Sequence, residues 1–581
     1  MSDKKPGKTN IHWRYSAPKQ SIVDQLVSGM DVSPVVASLL CRAGVTEVEA
    51  ANRFLHPRLA HLDNPFRITN LDKAVDRLIR AMRDGERIGI VGDYDVDGVT
   101  STVLLVSILR LFGVFPKYLV PRRLEEGYGL SAAALERLIA DEEPELLVAL
   151  DCGTNSVEEV AGLRAKGIDV VIIDHHQSKD AIPSDCILVN PHVNDGEDEP
   201  WRNLCTVGLV FKVVHGLTKR LRDEEDETAL ELKLKDYLDL VALGTIADLV
   251  PLTGENRIFT RFGLHRLQQT PRPGIRALLD VAGLSPDQDL TTPDVSFRIG
   301  PRINASGRMA DAAVPVELLL GDDYGSCILA ARELDAANRE RQGIERAIFQ
   351  EALEQAKGFS ADSSGIVVYG SEWHPGVVGI VAGRLAREFR RPAIVLGSEG
   401  SLAKGSGRSI AGICLQRILT DCDRILGSWG GHSMAVGVSL DVEKLESFRA
   451  AFSEAVESYV GDGGFPDLEI DIAAWIESNE VGDELLGQLD LLHPFGQENP
   501  TPVFALSSIK LAEPPTCFGQ NHCRFKIHGA RGQRIFVVGW NSAENLPPVD
   551  QPIDLALRLM WNYWNGSRSP RAEVVAWRPV A

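Results

Sequence analysis

The feature that most constrains this chain is a regular alternation of short apolar runs and helix-forming stretches between residues 87 and 191. The apolar runs are rich in Val, Ile and Leu, which is typical of strands that are buried on both faces. Segments of helical length lie between them, near residues 99–113, 131–141 and 156–166. Strands joined by such crossovers form a parallel sheet covered on both sides. We predict strands at residues 87–93, 117–121, 145–151, 168–174 and 186–190.

Three of the predicted strands end in an aspartate, namely Asp93, Asp151 and Asp174. In open parallel sheets the ligand binds beyond the carboxyl ends of the strands. After the first strand, the sequence GDYDVDGVTST adds Asp95 and Asp97 at alternate positions before a helix. Carboxylates in this arrangement can surround a cation, and the helix N-terminus can receive a phosphate. A D-x-D-x-D run alone would more often be an ordinary acidic turn, so its position at the end of a strand is what favours a metal site.

Two adjacent histidines, His175 and His176, follow the fourth predicted strand in the sequence IIDHHQS. A pair of histidines in a loop is usually structural or solvated, but here acids and imidazoles are expected at one edge of one sheet. This ligand set, without a thiolate, favours Mn²⁺ and then Mg²⁺ over a closed structural zinc site. Adjacent histidines point in different directions, so one can bind metal while the other faces a substrate. The next candidate is Asp248 in LVALGTIADLVPL, although alone it could simply cap a helix.

The rest of the chain divides by composition. A largely helical region, 204–320, precedes a Pro-free segment rich in Ala, Leu, Glu, Arg and Gln. As one helix, that segment would span about 54 Å, too long for one small domain, so we interpret it as a connector. A second α/β pattern follows, and then short strands and turns. The predicted boundaries are 1–70 for an N-terminal helical segment, 71–321 for the catalytic domain, 322–357 for the connector helix, 358–462 for a smaller α/β domain and 463–581 for a β-barrel.

The formal net charge of -20 counts against a nucleic-acid partner, because phosphate binding usually requires a basic surface. The distribution of charge reverses this expectation for the last 67 residues. They hold eight Arg or Lys residues against four acids, together with eight aromatic residues. Short strands with basic and aromatic side chains are typical of a small barrel on which bases can stack.

Other sequence features concern location and redox state. No run of 18 or more apolar residues occurs, and the polar, basic start is not followed by an apolar segment. We therefore expect a cytoplasmic protein that does not enter a membrane. The nine cysteines are scattered without a CxxC pair, which argues against disulfides and a structural zinc site.

Several Gly-rich or Arg-containing strings are candidate phosphate contacts. The string GPRINASGR reads as a polar loop carrying Arg302, Asn304 and Arg308, and GSGRS carries Ser406 and Arg408 between glycines. A further candidate is His432 in GGH. Arginine forks bind phosphate oxygens well, but each string alone is a weak signal.

The ordered strings DYDVDG, LDCG, DHH and GTIADLVPL resemble the motifs of the DHH phosphoesterases. The strings PRRLEEGYGLS, GPRINASGRM, EWHPGVVGIVAGRL, GSGRSIAG and GGHSMAVG are similar to those of the branch that degrades single-stranded DNA. The resemblance covers about residues 40–580. It implies a two-metal exonuclease, using Mn²⁺ or Mg²⁺, that digests single-stranded DNA in the 5′-to-3′ direction. It also implies an α/β fold in which a parallel-sheet DHH domain, a DHHA1 domain and an OB-fold enclose a narrow channel.

The resemblance also implies roles for particular residues. The metal ligands would be Asp95, Asp97, Asp151, His175 and Asp248. Asp151 would bridge the two ions, and Asp93 and His176 would complete the catalytic group beside them. The substrate contacts would be Arg123, Tyr128, Arg302, Asn304, Arg308, Ser406, Arg408 and His432, although Tyr128 could equally be a core residue. Val91 stands where related phosphatases have a histidine ligand, so the binding of the first ion is left open.

The resemblance further implies a monomer that serves recombination and repair, together with a helicase and the single-strand-binding protein. Two alternatives remain open at this point. The first is a DHH/DHHA1 phosphodiesterase of short oligonucleotides or cyclic dinucleotides, which would generally lack the long connector and the barrel. The second is a noncatalytic DNA-binding scaffold of the same fold, which characteristically loses metal ligands.

Overall fold

The computed structural model describes residues 11–580 except 123–125, 127–128, 141–142, 179–180, 286–288, 310–312, 359–362 and 565–566. Two compact units are present. The first contains the described residues of 1–304, 312–331 and 468–581, and the second those of 305–311 and 332–467. Within the described ranges, none of the helices is both long and apolar enough to cross a membrane.

The first described elements share a hydrophobic core with the C-terminal region. They are β1 (His12–Tyr15), α1 (Gln20–Gly29), α2 (Pro34–Arg42) and α3 (Val48–Leu55). Leu26 and Leu40 are fully buried in one cluster with Phe504 and Leu557, and β1 pairs in parallel with residues Glu469–Ile472. The N-terminal segment, predicted to be helical, therefore also contains a strand, and its apolar helix faces are covered by residues more than 400 positions later in the sequence.

The predicted parallel sheet is confirmed. Its part of the chain runs through α4 (Leu71–Asp84), β2 (Ile88–Gly92), α5 (Val96–Leu111), β3 (Lys117–Leu119), α6 (Ala132–Ile139), β4 (Leu146–Leu150), α7 (Val157–Ala165), β5 (Asp169–Ile173) and β6 (Ile187–Val189). The strands pair in the order β3-β2-β4-β5-β6, and every pairing is parallel. Because every residue of β2 and β4 is buried, these strands need the apolar composition that made them recognisable.

The helical region that follows packs against this sheet and continues into the connector. Its elements are α8 (Pro191–Asn194), α9 (Thr206–Asp223), α10 (Glu227–Glu231), α11 (Leu238–Ala247), α12 (Gly254–Gln268), α13 (Pro273–Val281), α14 (Thr292–Asp294), α15 (Gly300–Met309), α16 (Val314–Leu320) and α17 (Tyr324–Lys357). Helices α5, α9 and α11 contact one another and are buried around most of their circumference. The long helix α17 has 34 residues and confirms the predicted connector.

The prediction of a polar loop at GPRINASGR was wrong. This string forms α15, which is entered through a π-helical turn at Val295–Ile299. Its Gly, Pro and Asn content suggested a loop, but Ile299 and Ile303 are fully buried. The segment therefore has an apolar face, and burial of that face favours the helix over the local preference for a turn.

The second unit is a smaller α/β fold, as predicted. After α17 it contains β7 (Ile366–Gly370), α18 (Val378–Phe389), β8 (Ala393–Glu399), β9 (Leu402–Arg408), α19 (Leu415–Asp421), β10 (Ser428–Gly431), β11 (Ala435–Asp441) and α20 (Leu445–Val460). The strand order is β10-β11-β9-β8-β7, with β7 and β8 parallel and the other pairs antiparallel.

The Gly-rich string GSGRS was predicted to be a phosphate loop, but most of it lies in strand β9. A Cβ on Gly405 would lie only 1.9 Å from the carbonyl oxygen of Val395 in the neighbouring strand. On Gly407, a Cβ would lie 2.5 Å from the side chain of Ile394. The glycines are therefore required for close packing within the sheet.

The C-terminal elements form the predicted barrel. They are β12 (Glu469–Ile472), β13 (Ala474–Trp475), α21 (Asp483–Leu489), β14 (Phe504–Ile509), β15 (Glu513–Phe518), β16 (His522–His528), β17 (Arg534–Gly539), β18 (Ile553–Trp564) and β19 (Ser567–Pro579). The strand order is β13-β14-β18-β19-β17-β16-β15. Only residues 510–512 separate β14 from β15, yet these strands lie near opposite ends of the order. The sheet must therefore curl so that its two ends come close together, as in the partly open barrel of an OB-fold.

Two arginines of α12, the buried Arg257 and the partly buried Arg261, hold the segment that leads into the barrel. The guanidinium of Arg257 donates hydrogen bonds to the carbonyl oxygens of Phe54 (2.9 Å), Leu492 (2.9 Å) and Leu491 (3.1 Å). Arg261 donates to those of Asp490 (3.0 Å) and His493 (2.9 Å). Burial, and then the charge of Arg261, lower the pKa of Arg257 to about 9. The helical region and the barrel of the first unit are thus joined by charged donors that meet backbone acceptors.

We expect Arg257→Met to lower the free energy of unfolding by about 2–4 kcal/mol, because buried carbonyl groups lose their donors. Urea denaturation measures this change. The matched control is Arg53→Met, since Arg53 pairs with Glu49 at the surface, and it should change stability by no more than about 0.5 kcal/mol. Equal urea midpoints for the two variants would contradict the assigned role of Arg257.

Candidate metal centre

The acidic string after β2 folds tightly over the first turn of α5. Asp95 is the N-cap of this helix, and its Oδ1 accepts hydrogen bonds from the N–H groups of Asp97 (2.9 Å) and Gly98 (3.1 Å). A Cβ on Gly98 would lie 2.5 Å from the carbonyl oxygen of Asp93. The glycine that ends the D-x-D-x-D-G string is thus required for the chain to bring these carboxylates together.

Asp97 lies where three helices meet. Its carboxylate accepts hydrogen bonds from the N–H groups of Thr206 (2.7 Å) and Val207 (2.8 Å), the first residues of α9. On the other side, a Cβ on Gly244 of α11 would lie 2.9 Å from Oδ1 of Asp97. The N-terminus of α9 therefore stabilises the buried carboxylate, and the glycine of the GTIAD string lets α11 approach it.

Asp151 follows β4 with a strained backbone. Its φ is +63°, a left-handed value that is unusual for a residue other than glycine, and its side chain is buried. Oδ1 of Asp151 accepts a hydrogen bond from the hydroxyl of Thr206 at 2.9 Å. Such strain is characteristic of functional positions, and here it turns the carboxylate toward the other acids.

The imidazole of His175 faces three carboxylates. Its Nε2 lies 3.5 Å from Asp151 Oδ1, 3.5 Å from Asp248 Oδ2 and 3.9 Å from Asp97 Oδ2. The last distance is too long for a hydrogen bond, and the others lie at its outer limit. Ligands of an octahedral cation with bonds of about 2.1 Å are separated by about 3.0–4.2 Å. The distances from Nε2 to these three oxygens therefore suit ligands of a shared divalent cation.

His176 is held by a different acid, Asp174. Oδ1 of Asp174 accepts hydrogen bonds from Nδ1 of His176 (2.7 Å) and from the N–H of His175 (2.8 Å), while Oδ2 accepts one from the N–H of Thr154 (3.1 Å). Asp174 thus orients both histidines. The sequence marked it only as an acid at the end of a strand.

Burial raises the pKa of each of the three carboxyl groups that face His175, and the neighbouring carboxylates add to this effect. The pKa of Asp97 is raised to about 7 and that of Asp248 to about 9, and that of Asp151 is raised well above its usual range. Oδ2 of Asp248 is buried and has no hydrogen-bond partner among the described residues. This excess of negative charge and the orphaned oxygen fit a site that is completed by divalent cations.

The two histidines differ in charge. Burial, and then the charge of His176, lower the pKa of His175 to about 4, so this imidazole is neutral and able to ligate a metal. Burial alone would also lower the pKa of His176, but its hydrogen bond with Asp174 and the charge of that carboxylate raise it to about 9. His176 is therefore a cation at neutral pH, a form that suits contact with phosphate.

Among the described residues, three overlapping groups have ligand atoms close enough to share a cation. They are Asp93, Asp95 and Asp151; Asp97, His175 and Asp248; and Asp151, His175 and His176. Asp151 belongs to two of these groups, which fits the bridging role that the resemblance implies. Val91 is fully buried in an apolar cluster, and the first group contains Asp93, the acid two residues after it.

The predicted substrate contacts are spread over more elements of the chain than the metal ligands are. Oδ1 of Asn304 accepts the N–H of Val96 at 3.1 Å, which places the start of α15 beside the acidic string. The guanidinium of Arg302 donates to the carbonyl oxygens of Arg298 and Val281. The other candidates are Ser406 and Arg408, on β9 of the second unit; His432, in the turn before β11; and Arg123, Tyr128 and the side chain of Arg308, which lie outside the described residues.

Sequence reasoning missed Thr206 and Gly244 and left Asp174 without a role. Thr206 follows β5 by more than 30 residues, and no local motif marks it as a partner of Asp97 and Asp151. Gly244 was visible in the string GTIAD. Why a glycine is needed there could not be seen in the sequence, because the reason is the close approach of α11 to Asp97 in the folded protein.

Comparison with known domains agrees with the class of protein that this fold and site define, the DHH phosphoesterases. Residues 87–245 match the DHH family N-terminal domain, and residues 362–458 match the DHHA1 domain. Residues 472–576 match the RecJ OB domain. The three matches fall in the parallel-sheet region, the second unit and the barrel.

Similarity to individual proteins extends over nearly the whole chain, which belongs to the RecJ family. The single-stranded-DNA-specific exonuclease RecJ of Bacillus subtilis (strain 168) is 35% identical over 571 residues, covering 97% of this chain and 70% of the relative. That of Escherichia coli (strain K12) is 36% identical over 556 residues, covering 93% and 95%. A crystal structure of RecJ in complex with Mn²⁺ from Thermus thermophilus has a TM-score of 0.81 and 28% identity, covering 98% of this chain and 80% of that one.

We expect the thermal stability of the metal-free protein to fall as the pH rises from 5 to 8. Carboxyl groups whose pKa is raised in the folded state, such as Asp97 and Asp248, bind more protons folded than unfolded. Their contribution is complete below pH about 4, the pKa of an unfolded aspartate, and is lost as the pH passes the folded values. Melting temperatures measured in a chelator across this range test the sign of the change.

Asp248→Asn should reduce this fall and raise the melting temperature of the chelated protein at pH 8. The same variant should gain less than wild type when Mn²⁺ is added, because a ligand that binds only the folded state stabilises it. Asp76→Asn is the matched control, since that side chain is 61% exposed and should change neither result. A lower melting temperature for Asp248→Asn in chelator would contradict the electrostatic account.

Proposed function

We propose that this protein is a metal-dependent exonuclease that hydrolyses single-stranded DNA from the 5′ end toward the 3′ end. The observation that carries the proposal is the convergence of His175 with the carboxylates of Asp97, Asp151 and Asp248 at the carboxyl edge of the sheet. The curated relatives with this domain order are named single-stranded-DNA-specific exonucleases. The direction of digestion is the one that the family resemblance implies.

The ions that the site would hold are Mn²⁺ or Mg²⁺, two per molecule. Asp93, Asp95 and Asp151 are suited to one position, and Asp97, Asp151, His175 and Asp248 to the other. When bound, a pair of such cations activates the attacking water and stabilises the leaving oxygen. The all-oxygen and imidazole ligand set supports this choice of metal, as do the RecJ structures in complex with Mn²⁺ and with Mg²⁺.

The remaining groups of the site have roles that follow from their contacts. The Nδ1–H of His176 is directed at Asp174, so Nε2 is the nitrogen that would donate to a phosphoryl oxygen or protonate the leaving group. The hydroxyl of Thr206 orients the carboxylate of Asp151. Holding these groups before the substrate arrives reduces the reorganisation that the reaction requires.

The barrel supports single-stranded DNA as the substrate. Phe536, Trp540 and Tyr563 have exposed rings. The ammonium group of Lys526 lies 4.8 Å from the centre of the Phe536 ring, and the guanidinium of Arg571 lies 5.7 Å from that of Trp540. Exposed aromatic rings beside cations are what a sequence-independent single-strand surface requires.

This barrel and the complete acidic cluster favour the exonuclease over the two alternatives. A phosphodiesterase of short substrates has no need of a RecJ OB domain, and a noncatalytic scaffold has no need of the metal ligands. We further propose that the substrate path includes Arg123, Tyr128, Arg302, Asn304, Arg308, Ser406, Arg408 and His432. These residues provide cations, hydrogen-bond donors and an aromatic ring suited to a DNA strand and its 5′ phosphate.

We propose that the protein acts in the cytoplasm as a monomer in recombination and repair, with a helicase that supplies single strands and the single-strand-binding protein that coats them. All nine cysteines lie in the described part of the chain and none forms a disulfide there, which is typical of a reducing compartment. We also propose the domain boundaries 71–321, 322–357, 358–462 and 463–581. The matched ranges 87–245, 362–458 and 472–576 each lie inside one of these domains.

The direct test uses a long single strand labelled at its 5′ or its 3′ end and incubated with Mn²⁺. We expect immediate release of labelled mononucleotides from the 5′-labelled strand and late release from the 3′-labelled one. Asp151→Asn should reduce the rate by on the order of a thousandfold, because loss of a bridging ligand removes several kcal/mol of transition-state stabilisation. Cleavage at internal positions, or near-normal turnover by this variant at saturating Mn²⁺, would contradict the proposal.

Variants of the two histidines should respond differently to added Mn²⁺. His175→Ala should require much more Mn²⁺ for activity and for thermal stabilisation, because a neutral ligand is lost. His176→Ala should retain the metal-dependent rise in melting temperature yet remain slow at every Mn²⁺ concentration. Matching titration curves and equal maximal rates for the two variants would rule out this division of roles.

A further inference from the structure

Two large apolar side chains are exposed, one directly after α11 and one on the π-helical turn that packs against α11. Leu249 is 66% exposed and directly follows Asp248, so their Cα atoms are about 3.8 Å apart. Phe297 is 77% exposed and lies in the π-helical turn before α15. Single exposed apolar residues are common on protein surfaces, so exposure alone does not assign a function. Their backbones provide the further evidence.

The exposure of Leu249 depends on an unfavourable backbone conformation. Its φ of +59° is left-handed, a conformation that is unfavourable for a residue with a Cβ. Its N–H donates to the carbonyl oxygen of Ile246 at 3.4 Å, and the N–H of Leu252 donates to that of Gln497 at 2.9 Å. Contacts therefore hold the turn on both sides of Leu249. Strain that is maintained in this way beside a reactive centre points to a role for the side chain.

Phe297 is presented by a second segment that is fixed at the same point. The hydroxyl of Ser296 is 3.5 Å from the carbonyl oxygen of Ile246, the group that also accepts the N–H of Leu249. Val295 and Ile299, at the ends of the π-helical turn, are fully buried. Insertions of this kind recur at functional sites because they redirect individual side chains.

We propose that Leu249 and Phe297 form an apolar contact surface for a nucleobase next to the scissile phosphodiester. This inference rests on the proposed function. A phosphate bound at the acidic cluster brings the adjacent bases within one nucleotide of Asp248, and thus of Leu249. An enzyme that digests strands of any sequence needs contacts that do not depend on base identity, and an aromatic ring or an aliphatic side chain against the face of a base meets that need.

The test combines substrate and protein changes. The substrates are 5′-phosphorylated oligonucleotides in which one nucleotide, at position 1, 2, 3 or 4, is replaced by a tetrahydrofuran residue that has no base. Single-turnover rates with Mn²⁺ are measured for wild type, Leu249→Gly and Phe297→Ala. We expect wild type to lose on the order of tenfold in rate at one position. Both variants should digest the unmodified strand more slowly than wild type does. Removal of the base at that same position should then reduce their rates only a little further.

Leu249→Gly also separates function from folding. Glycine adopts a left-handed backbone without strain, so this variant should melt at the same temperature as wild type or higher. The matched control is Glu225→Gly, since Glu225 is exposed, has a φ of +60° and follows the far end of α9. It should show the same direction of stability change with wild-type rates on every substrate.

Three results would overturn the inference: equal base dependence in wild type and both variants, equal slowing on modified and unmodified strands, or wild-type rates for Leu249→Gly and Phe297→Ala. Wild-type rates for both variants would instead indicate that this surface binds another protein. Failure of wild type to digest the unmodified strand is a separate outcome, which would contradict the proposed function and this inference together.

Discussion

Mutual repulsion among buried carboxylates is the constraint on which the rest of this structure depends. Asp97, Asp151 and Asp248 lie around one imidazole, where the low polarity of the interior strengthens their repulsion. The fold compensates in part with backbone donors. The start of α9 provides two N–H groups to Asp97, and Asp95 is used as the cap of α5. Within the described part of the chain, Oδ2 of Asp248 still has no hydrogen-bond partner, and bound divalent cations would supply the stabilisation that the protein groups do not.

The sheet and its acidic edge could be predicted because the information is local. A strand covered on both faces must be apolar throughout, and the residue that follows it emerges at the ligand edge of the sheet. Asp93, Asp95, Asp97, Asp151 and the two histidines are therefore visible in the sequence. The parts of the site that were missed depend on tertiary packing. The contacts of Thr206 require the orientation of α9, and the role of Gly244 requires the approach of α11.

Two strings were predicted to be loops because of their local composition, but tertiary packing makes one a helix and the other largely a strand. GPRINASGR contains three residue types that favour turns, yet burial of Ile299 and Ile303 makes it a helix. GSGRS resembles a phosphate loop, yet Gly405 is required because the backbone of the next strand leaves no space for a Cβ. In GSGRS the glycines were read as a sign of phosphate binding. The neighbouring strands show that these glycines are required for close packing.

The shared core of the N-terminal helices and the barrel has a consequence for the order of folding. Leu26 and Leu40 are buried against Phe504 and Leu557, which are synthesised more than 450 residues later. At about 5–20 residues per second, translation of that interval takes on the order of half a minute to a minute and a half. Throughout this time the apolar faces of α1 and α2 lack the cover that the barrel residues provide. The growing chain must therefore keep its first helices from aggregating while the catalytic sheet, made entirely in between, is already able to fold.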